Sequence, residues 1–192
     1  MYRCLIANRG EIAVRIIRAC RELNIETVAI YAKGDENSLH VSLADQAICI
    51  GEANPLDSYL NIDRIISAAK VTESNAIHPG YGFLSESTNF AKAVEDNHIH
   101  FIGPSKTTME MMGDKITARQ TVKQAGVPVI PGSNDAVQSV DEIKLLAKEI
   151  GFPVVLKAAS GGGGKGIRIV KEASHLDQAL KEAKSEGQKY FN

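Results

Sequence analysis

The sequence predicts an α/β protein: a helix-covered parallel sheet first, then a smaller α+β unit that the chain leaves incomplete. Two observations lead there. From Tyr2 to Ile102, short apolar, often β-branched runs alternate with amphipathic stretches. That is the pattern of successive strand–helix units, hence of a parallel sheet covered on both faces. After Pro131-Gly132-Ser133 the pattern changes to a helix, two apolar runs around a glycine-rich stretch, and another helix. An antiparallel hairpin backed by helices reads this way.

The elements follow in order. Tyr2–Asn8 is an apolar strand. A helix from about Glu11 to Leu23 places Ile12, Ile16, Cys20 and Leu23 on one face and Glu11, Arg15, Arg18 and Glu22 on the other. Thr27–Tyr31 is the second strand, Leu39–Leu43 a short helix, and Gln46–Ile50 the third strand. The helix Ile62–Val71 carries an apolar stripe of Ile62, Ile65, Ile66 and Ala69. Asn75–His78 is the fourth strand, Ser87–Asp96 a helix, and His100–Ile102 the fifth strand. This is a Rossmann-like unit, spanning residues 1–103. Its first turn, Asn8-Arg9-Gly10-Glu11, holds one glycine where the dinucleotide fingerprint needs three, and Glu11 would face any pyrophosphate. The architecture is therefore expected without nicotinamide binding.

Residues 104–130 read as linking helices. One runs from about Ser105 to Met112, and a second reaches Gln124 with Asp114 as its N-cap. Residues 131–192 form the small unit, with helices near Val140–Ile150 and Leu176–Lys184 around the hairpin. Its few residues cannot bury a generous core alone. The terminal Tyr190-Phe191-Asn192 suggests packing against something further, so the chain reads as a fragment.

Composition excludes several classes of function. The chain has 192 residues, 44% apolar and 23% charged, with a formal net charge of −1. Bulk electrostatics give no reason to expect nucleic acid or an acidic membrane surface. No apolar run reaches the length of a membrane span, and Met1-Tyr2-Arg3 leads straight into a strand without room for a signal peptide, so a cytoplasmic protein is expected. Cys4, Cys20 and Cys49 are widely spaced among apolar neighbours and read as buried reduced thiols.

The richest chemistry lies in Leu156–Gly166, which reads Leu-Lys-Ala-Ala-Ser-Gly-Gly-Gly-Gly-Lys-Gly. Glycines let a backbone turn sharply and approach a ligand closely, and their amides with lysine ammonium groups cradle phosphate oxygens. A strand follows the run where the dinucleotide fingerprint needs a helix, and a Walker loop fails because Gly166 follows Gly164-Lys165 and Ala159 stands where its first glycine belongs. A glycine flap with Lys157 at its root remains. The alternative is a plain polar hairpin tip with a solvated Lys157.

Four further stretches resemble one family: Ile6-Ala7-Asn8-Arg9-Gly10-Glu11-Ile12-Ala13, His78-Pro79-Gly80-Tyr81-Gly82-Phe83-Leu84-Ser85-Glu86, Phe101-Ile102-Gly103-Pro104 and Met112-Gly113-Asp114-Lys115. With the flap at its expected distance, the whole chain resembles the N-terminal part of biotin carboxylase, an ATP-grasp enzyme. The resemblance implies a ligase that phosphorylates bicarbonate with ATP and passes the resulting carbon dioxide from carboxyphosphate to biotin on a carrier protein. It implies that Lys115 and Lys157 hold nucleotide phosphates and that Gly163, Gly164 and Lys165 belong to the flap over them; the family accepts arginine or lysine at Lys165. Tyr81 and Gly82, with His78, are implied on the side where biotin and bicarbonate enter. The alternative is that this loop is only tightly shaped and His78 is structural. Arg15, Arg18 and Glu22 are implied at a dimer interface, against the alternative of a solvated helix face.

The resemblance further implies that the magnesium ligands and the catalytic residues lie beyond Asn192, so that this segment alone is inactive. Biotin carboxyl carrier protein and carboxyltransferase subunits are the implied partners. His40–Asp45 and Ser58–Asn61 look closest to the acetyl-CoA carboxylase subunit. Pyruvate carboxylase, a nicotinamide-binding module and a non-catalytic interaction domain are the competing readings.

Overall fold

The computed structural model describes residues 2–133, 135, 137, 139–157 and 167–191, leaving the side chains of Lys115 and of 186–191 undescribed. The chain divides into two compact units, Met1–Gly113 and Asp114–Asn192. The division falls inside the segment read as linking helices.

The first unit runs β1 (Arg3–Ile6), α1 (Gly10–Glu22), β2 (Glu26–Ala32), α2 (Leu39–Leu43), β3 (Gln46–Gly51), a 3-10 turn (Pro55–Asp57), α3 (Ile62–Val71), β4 (Ala76–His78), α4 (Thr88–Asp96), β5 (His100–Phe101) and α5 (Lys106–Gly113). The strands form one parallel sheet in the order β3-β2-β1-β4-β5. The chain winds outward from β1 to β3, then crosses back to β4, so the winding reverses between β1 and β4.

Alternation along β1 feeds two cores. Leu5 and Ala7 join Val28, Ile30, Ile65, Ile77 and Phe90 beneath α3 and α4. Cys4 and Ile6 meet Ala13, Ile16, Ile17 and Cys20 of α1 on the opposite face. Phe90 is fully buried and meets Phe101 edge to face, with centroids 5.9 Å apart. Side-chain caps fix where helices begin: Asn61 accepts from the Arg64 N–H, Ser87 from Phe90, Asp114 from Thr117 and Ser139 from Glu142.

Three expectations need correction. Leu23 does not join the apolar face of α1: the helix ends at Glu22, and Leu23 at its C-cap is 70% exposed. Ala13, Val14 and Ile17 are buried on that helix instead. Cys49 is not buried; it lies on the edge strand β3, where one neighbour leaves its side chain uncovered. In α3, Ala68 is buried while Ile62 only packs against the rim of the core.

The second unit comprises α6 (Lys115–Gln124), α7 (Val140–Ile150), β6 (Val154–Lys157), β7 (Ile167–Val170), a 3-10 turn (Ala173–His175) and α8 (Leu176–Phe191). Strands β6 and β7 are antiparallel, pairing Val154 with Val170 and Lys157 with Ile167. Val170 and Leu176 are buried with Ile143 and Ala147 of α7, and Val154 and Leu156 pack onto that cluster. The hairpin therefore has one covered face.

Candidate functional site

Open parallel sheets leave a crevice at the carboxyl ends of the strands where the winding reverses. Here that point lies between β1 and β4. The Ala7 N–H donates to the His78 carbonyl at 2.9 Å and ties the two strand ends together. Asn8 follows, 3% exposed. Its Nδ2 donates to the carbonyls of Pro79 (2.7 Å) and Tyr81 (2.8 Å), and its Oδ1 accepts from the Arg9 N–H at 2.9 Å. One buried amide thus stitches the loop after β4 to the loop after β1.

That loop is tightly shaped. Gly80 has φ +66°, and a Cβ there would sit 2.9 Å from Asn8 Nδ2 and 3.1 Å from Ile12 Cγ1. Glycine is required by conformation and by space together. Phe83 also adopts a left-handed conformation, with φ +42°. A bulky residue there stores about 1–3 kcal/mol of strain, which surrounding contacts must hold in place. Tyr81 is 58% exposed, and its hydroxyl donates to the Glu11 carboxylate. His78 Nδ1 accepts from the Gly80 N–H at 3.0 Å, which places the proton of the neutral ring on Nε2. Burial lowers the pKa of His78.

The contacts holding Phe83 converge on Arg9. Phe83 stacks on Tyr59 with centroids 5.2 Å apart and planes inclined by 14°. The Arg9 guanidinium lies 5.2 Å from the Tyr59 ring centre and 5.7 Å from that of Phe83. Its Nη1 is 3.2 Å from Asp35 Oδ2. The Tyr59 hydroxyl donates to the same oxygen at 2.7 Å and accepts from the Ala32 N–H at 3.1 Å. Burial pushes the Asp35 carboxyl up, but the hydrogen bonds from Tyr59 and Arg9 outweigh it and hold the group below its usual range. Burial and that carboxylate raise the Tyr59 phenol.

Arg15, Arg18 and Glu22 line a groove of about 830 Å³ along α1, with Leu39 and His40 on its other wall. His40 is buried; its Nε2 lies 3.3 Å from the Ile30 carbonyl, and Nδ1 has no partner among the described residues. Burial lowers its pKa. His40 and His78 therefore both resist protonation in the folded chain. Their contribution to stability is fully present above the unfolded value of about 6.5 and is lost as pH falls below it. Tm is expected to drop between about pH 7.5 and 5.5; a flat profile across that window contradicts neutral burial of these rings.

In the second unit, Lys157 is exposed at the end of β6. The register places it on one face with Val155, Ile167 and Ile169, all exposed, while Val154, Leu156 and Val170 face the core. The open face is an apolar platform with a cation at its edge, suited to a flat ring joined to phosphates. Lys115 is the first residue of α6. Gly163, Gly164 and Lys165, with the flap Ser160–Lys165, lie outside the described residues. Among the described residues no group of three or more His, Cys, Asp or Glu side chains could hold a metal ion. The resemblance places the magnesium ligands beyond Asn192.

Sequence reasoning picked out His78, Tyr81 and Gly82 but gave Asn8, Arg9, Asp35, Tyr59 and Phe83 no role, and missed the platform of Val155, Ile167 and Ile169. Strand alternation on either side of Lys157 was the available signal for the platform.

A five-stranded parallel sheet with a shaped loop at its reversal point, followed by a lysine-bearing hairpin on helices, defines a Rossmann-like domain joined to part of an ATP-grasp domain. Residues 1–109 match the biotin carboxylase N-terminal domain, and the chain belongs to that family. Residues 114–192 match the ATP-binding domain of the carbamoyl-phosphate synthase L chain. The chain is 53% identical over 189 residues to biotin carboxylase 1 of Bacillus subtilis, covering 98% of this chain and 42% of that protein. It is 52% identical over 190 residues to the pyruvate carboxylase of Staphylococcus aureus, covering 98% of this chain and 16% of that one. Among solved structures, it resembles the biotin carboxylase domain dimer of Hydrogenobacter thermophilus 2-oxoglutarate carboxylase, in complex with MgADP, ADP and bicarbonate. The TM-score is 0.85 at 50% identity, covering 98% of this chain and 42% of that one. The chain thus spans less than half the length of these relatives. No helix among the described residues is long and apolar enough to cross a membrane.

Proposed function

We propose that this chain supplies the N-terminal domains of an ATP-dependent biotin carboxylase. The observation that carries the reading is the open hairpin face around Lys157, in the stretch that matches an ATP-binding domain. Lys157, with Lys115 and the flap residues Gly163, Gly164 and Lys165, holds the phosphates, and the apolar platform receives the base. Bicarbonate attacks the terminal phosphorus of ATP, releasing ADP and forming carboxyphosphate. That intermediate breaks down to carbon dioxide and phosphate. That phosphate takes the proton of the biotin ureido nitrogen, which forms its bond to the carbon dioxide. Tyr81, Gly82 and His78 shape the side from which biotin, carried on its carrier protein, and bicarbonate approach.

The test is ATP hydrolysis by a full-length enzyme containing this chain. Hydrolysis is expected to require both bicarbonate and biotin, and turnover indifferent to biotin overturns the reading. Within the family, we assign the chain to acetyl-CoA carboxylase, a cytoplasmic enzyme acting with carboxyltransferase subunits in fatty acid synthesis. Similar identity to a pyruvate carboxylase favours a second acceptor. Supplying the matching carboxyltransferase and asking whether malonyl-CoA or oxaloacetate forms decides between them.

The groove along α1 serves a homodimer, with Arg15, Arg18 and Glu22 offering charges of both signs to a second copy. Arg18→Glu in the full-length enzyme is expected to shift sedimentation towards monomer. An unchanged monomer–dimer equilibrium leaves the face simply solvated.

A further inference from the structure

We propose that Arg9 is a positioning residue: held by Asp35 against the stacked rings of Tyr59 and Phe83, it keeps the Gly80–Phe83 turn in the shape that presents Tyr81 to biotin. The inference rests on the reading of this loop as the biotin side.

The turn needs such a device. Gly80, Gly82 and Phe83 all have positive φ, at +66°, +66° and +42°. The glycines adopt this without cost to a side chain, but Phe83 does not. What keeps Phe83 there lies outside its own loop. Its ring is stacked on Tyr59, and Arg9 lies against both rings. Asp35 anchors the guanidinium and takes the Tyr59 hydroxyl on the same oxygen. Tyr59 in turn is fixed to the sheet through the Ala32 N–H.

Asn8 holds the other end of the turn through Pro79 and Tyr81. One dipeptide at the end of β1 therefore sets both ends of a loop that follows β4. Between them stands Tyr81, whose backbone is held by Asn8 and whose exposed ring is steadied by Glu11. The planar guanidinium suits this place because it can lie against rings while its edge meets a carboxylate. A lysine would keep the charge and lose the plane.

The test uses Arg9→Met and Arg9→Lys in a full-length enzyme containing this chain, with Tyr81→Ala as a control on the site. Misplacing a substrate-positioning group costs up to about a hundredfold. Arg9→Met is expected to raise KM for free biotin about tenfold or more on that scale while leaving KM for ATP unchanged. Hydrogen exchange at the Gly80–Phe83 amides should quicken, and Arg9→Lys should recover only part of both effects. If Tyr81→Ala raises the biotin KM and Arg9→Met does not, the role of Arg9 is overturned and the site stands. If neither variant moves the biotin KM, the loop is not the biotin side, and the reading of Tyr81, Gly82 and His78 falls together with the role of Arg9. Should Arg9→Met fail to fold, Phe83→Leu keeps the ion pair and removes the stack; the same selective rise in biotin KM is expected, and its absence overturns the proposal.

Discussion

Lys157→Met in a full-length enzyme containing this chain is expected to lower kcat/KM for ATP by about tenfold to a hundredfold. A hydrogen bond to a charged group contributes about 1.5–3 kcal/mol, and each 1.4 kcal/mol is a factor of ten. Methionine keeps most of the apolar length of the side chain and removes only the ammonium. The hairpin should survive, because Lys157 is on its exposed face and the residues that bind β6 to the core are Val154 and Leu156. Steady-state kinetics against ATP, with circular dichroism as the check on folding, measure the effect. An unaltered ATP response means that Lys157 is only a solvated strand lysine.

The largest expected loss of stability follows Phe90→Ala. Phe90 is fully buried between α4 and the sheet and makes the edge-to-face contact with Phe101. Truncating such a ring costs about 3–5 kcal/mol, from lost transfer energy and the cavity left behind. Small domains have about 5–15 kcal/mol in total, so the first unit would lose a large share of its stability. Urea unfolding followed by circular dichroism should show the midpoint falling sharply. A shift below about 1 kcal/mol would mean the cavity is refilled by neighbouring side chains.

Most of the first unit was legible because its strands and helices differ in period. Ile62–Val71 shows a stripe at helical spacing and is helical over those residues, while Leu39–Leu43 was marked by the polar turn before it. Leu23 misled because the periodicity of α1 continues one residue past the point where the backbone stops being helical. Cys49 misled because its apolar neighbours do not reveal that β3 is an edge strand. That depends on strand order, which is set by pairing between distant segments.

The site divides the same way. Motifs such as His78–Glu86 stand out locally, and Gly80 and Gly82 do sit at positive φ. The array around Arg9 draws single residues from positions 9, 35, 59 and 83, with no local pattern to announce it. It becomes visible only once the carboxyl ends of β1, β2 and β4 lie side by side.

The surroundings of Tyr59 also give the chain an optical label. The sequence contains no tryptophan and five tyrosines, so its near-ultraviolet emission comes from phenols. Tyr59 is fully buried with its hydroxyl on the Asp35 carboxylate, Tyr81 is exposed with its hydroxyl on that of Glu11, and Tyr2 is exposed. A phenol that hands its proton towards a carboxylate in the excited state is dimmed relative to one in water. Loosening the contact between Tyr59 and Asp35 should therefore brighten the emission, and the loop's arrangement can be followed by fluorescence without attaching a dye.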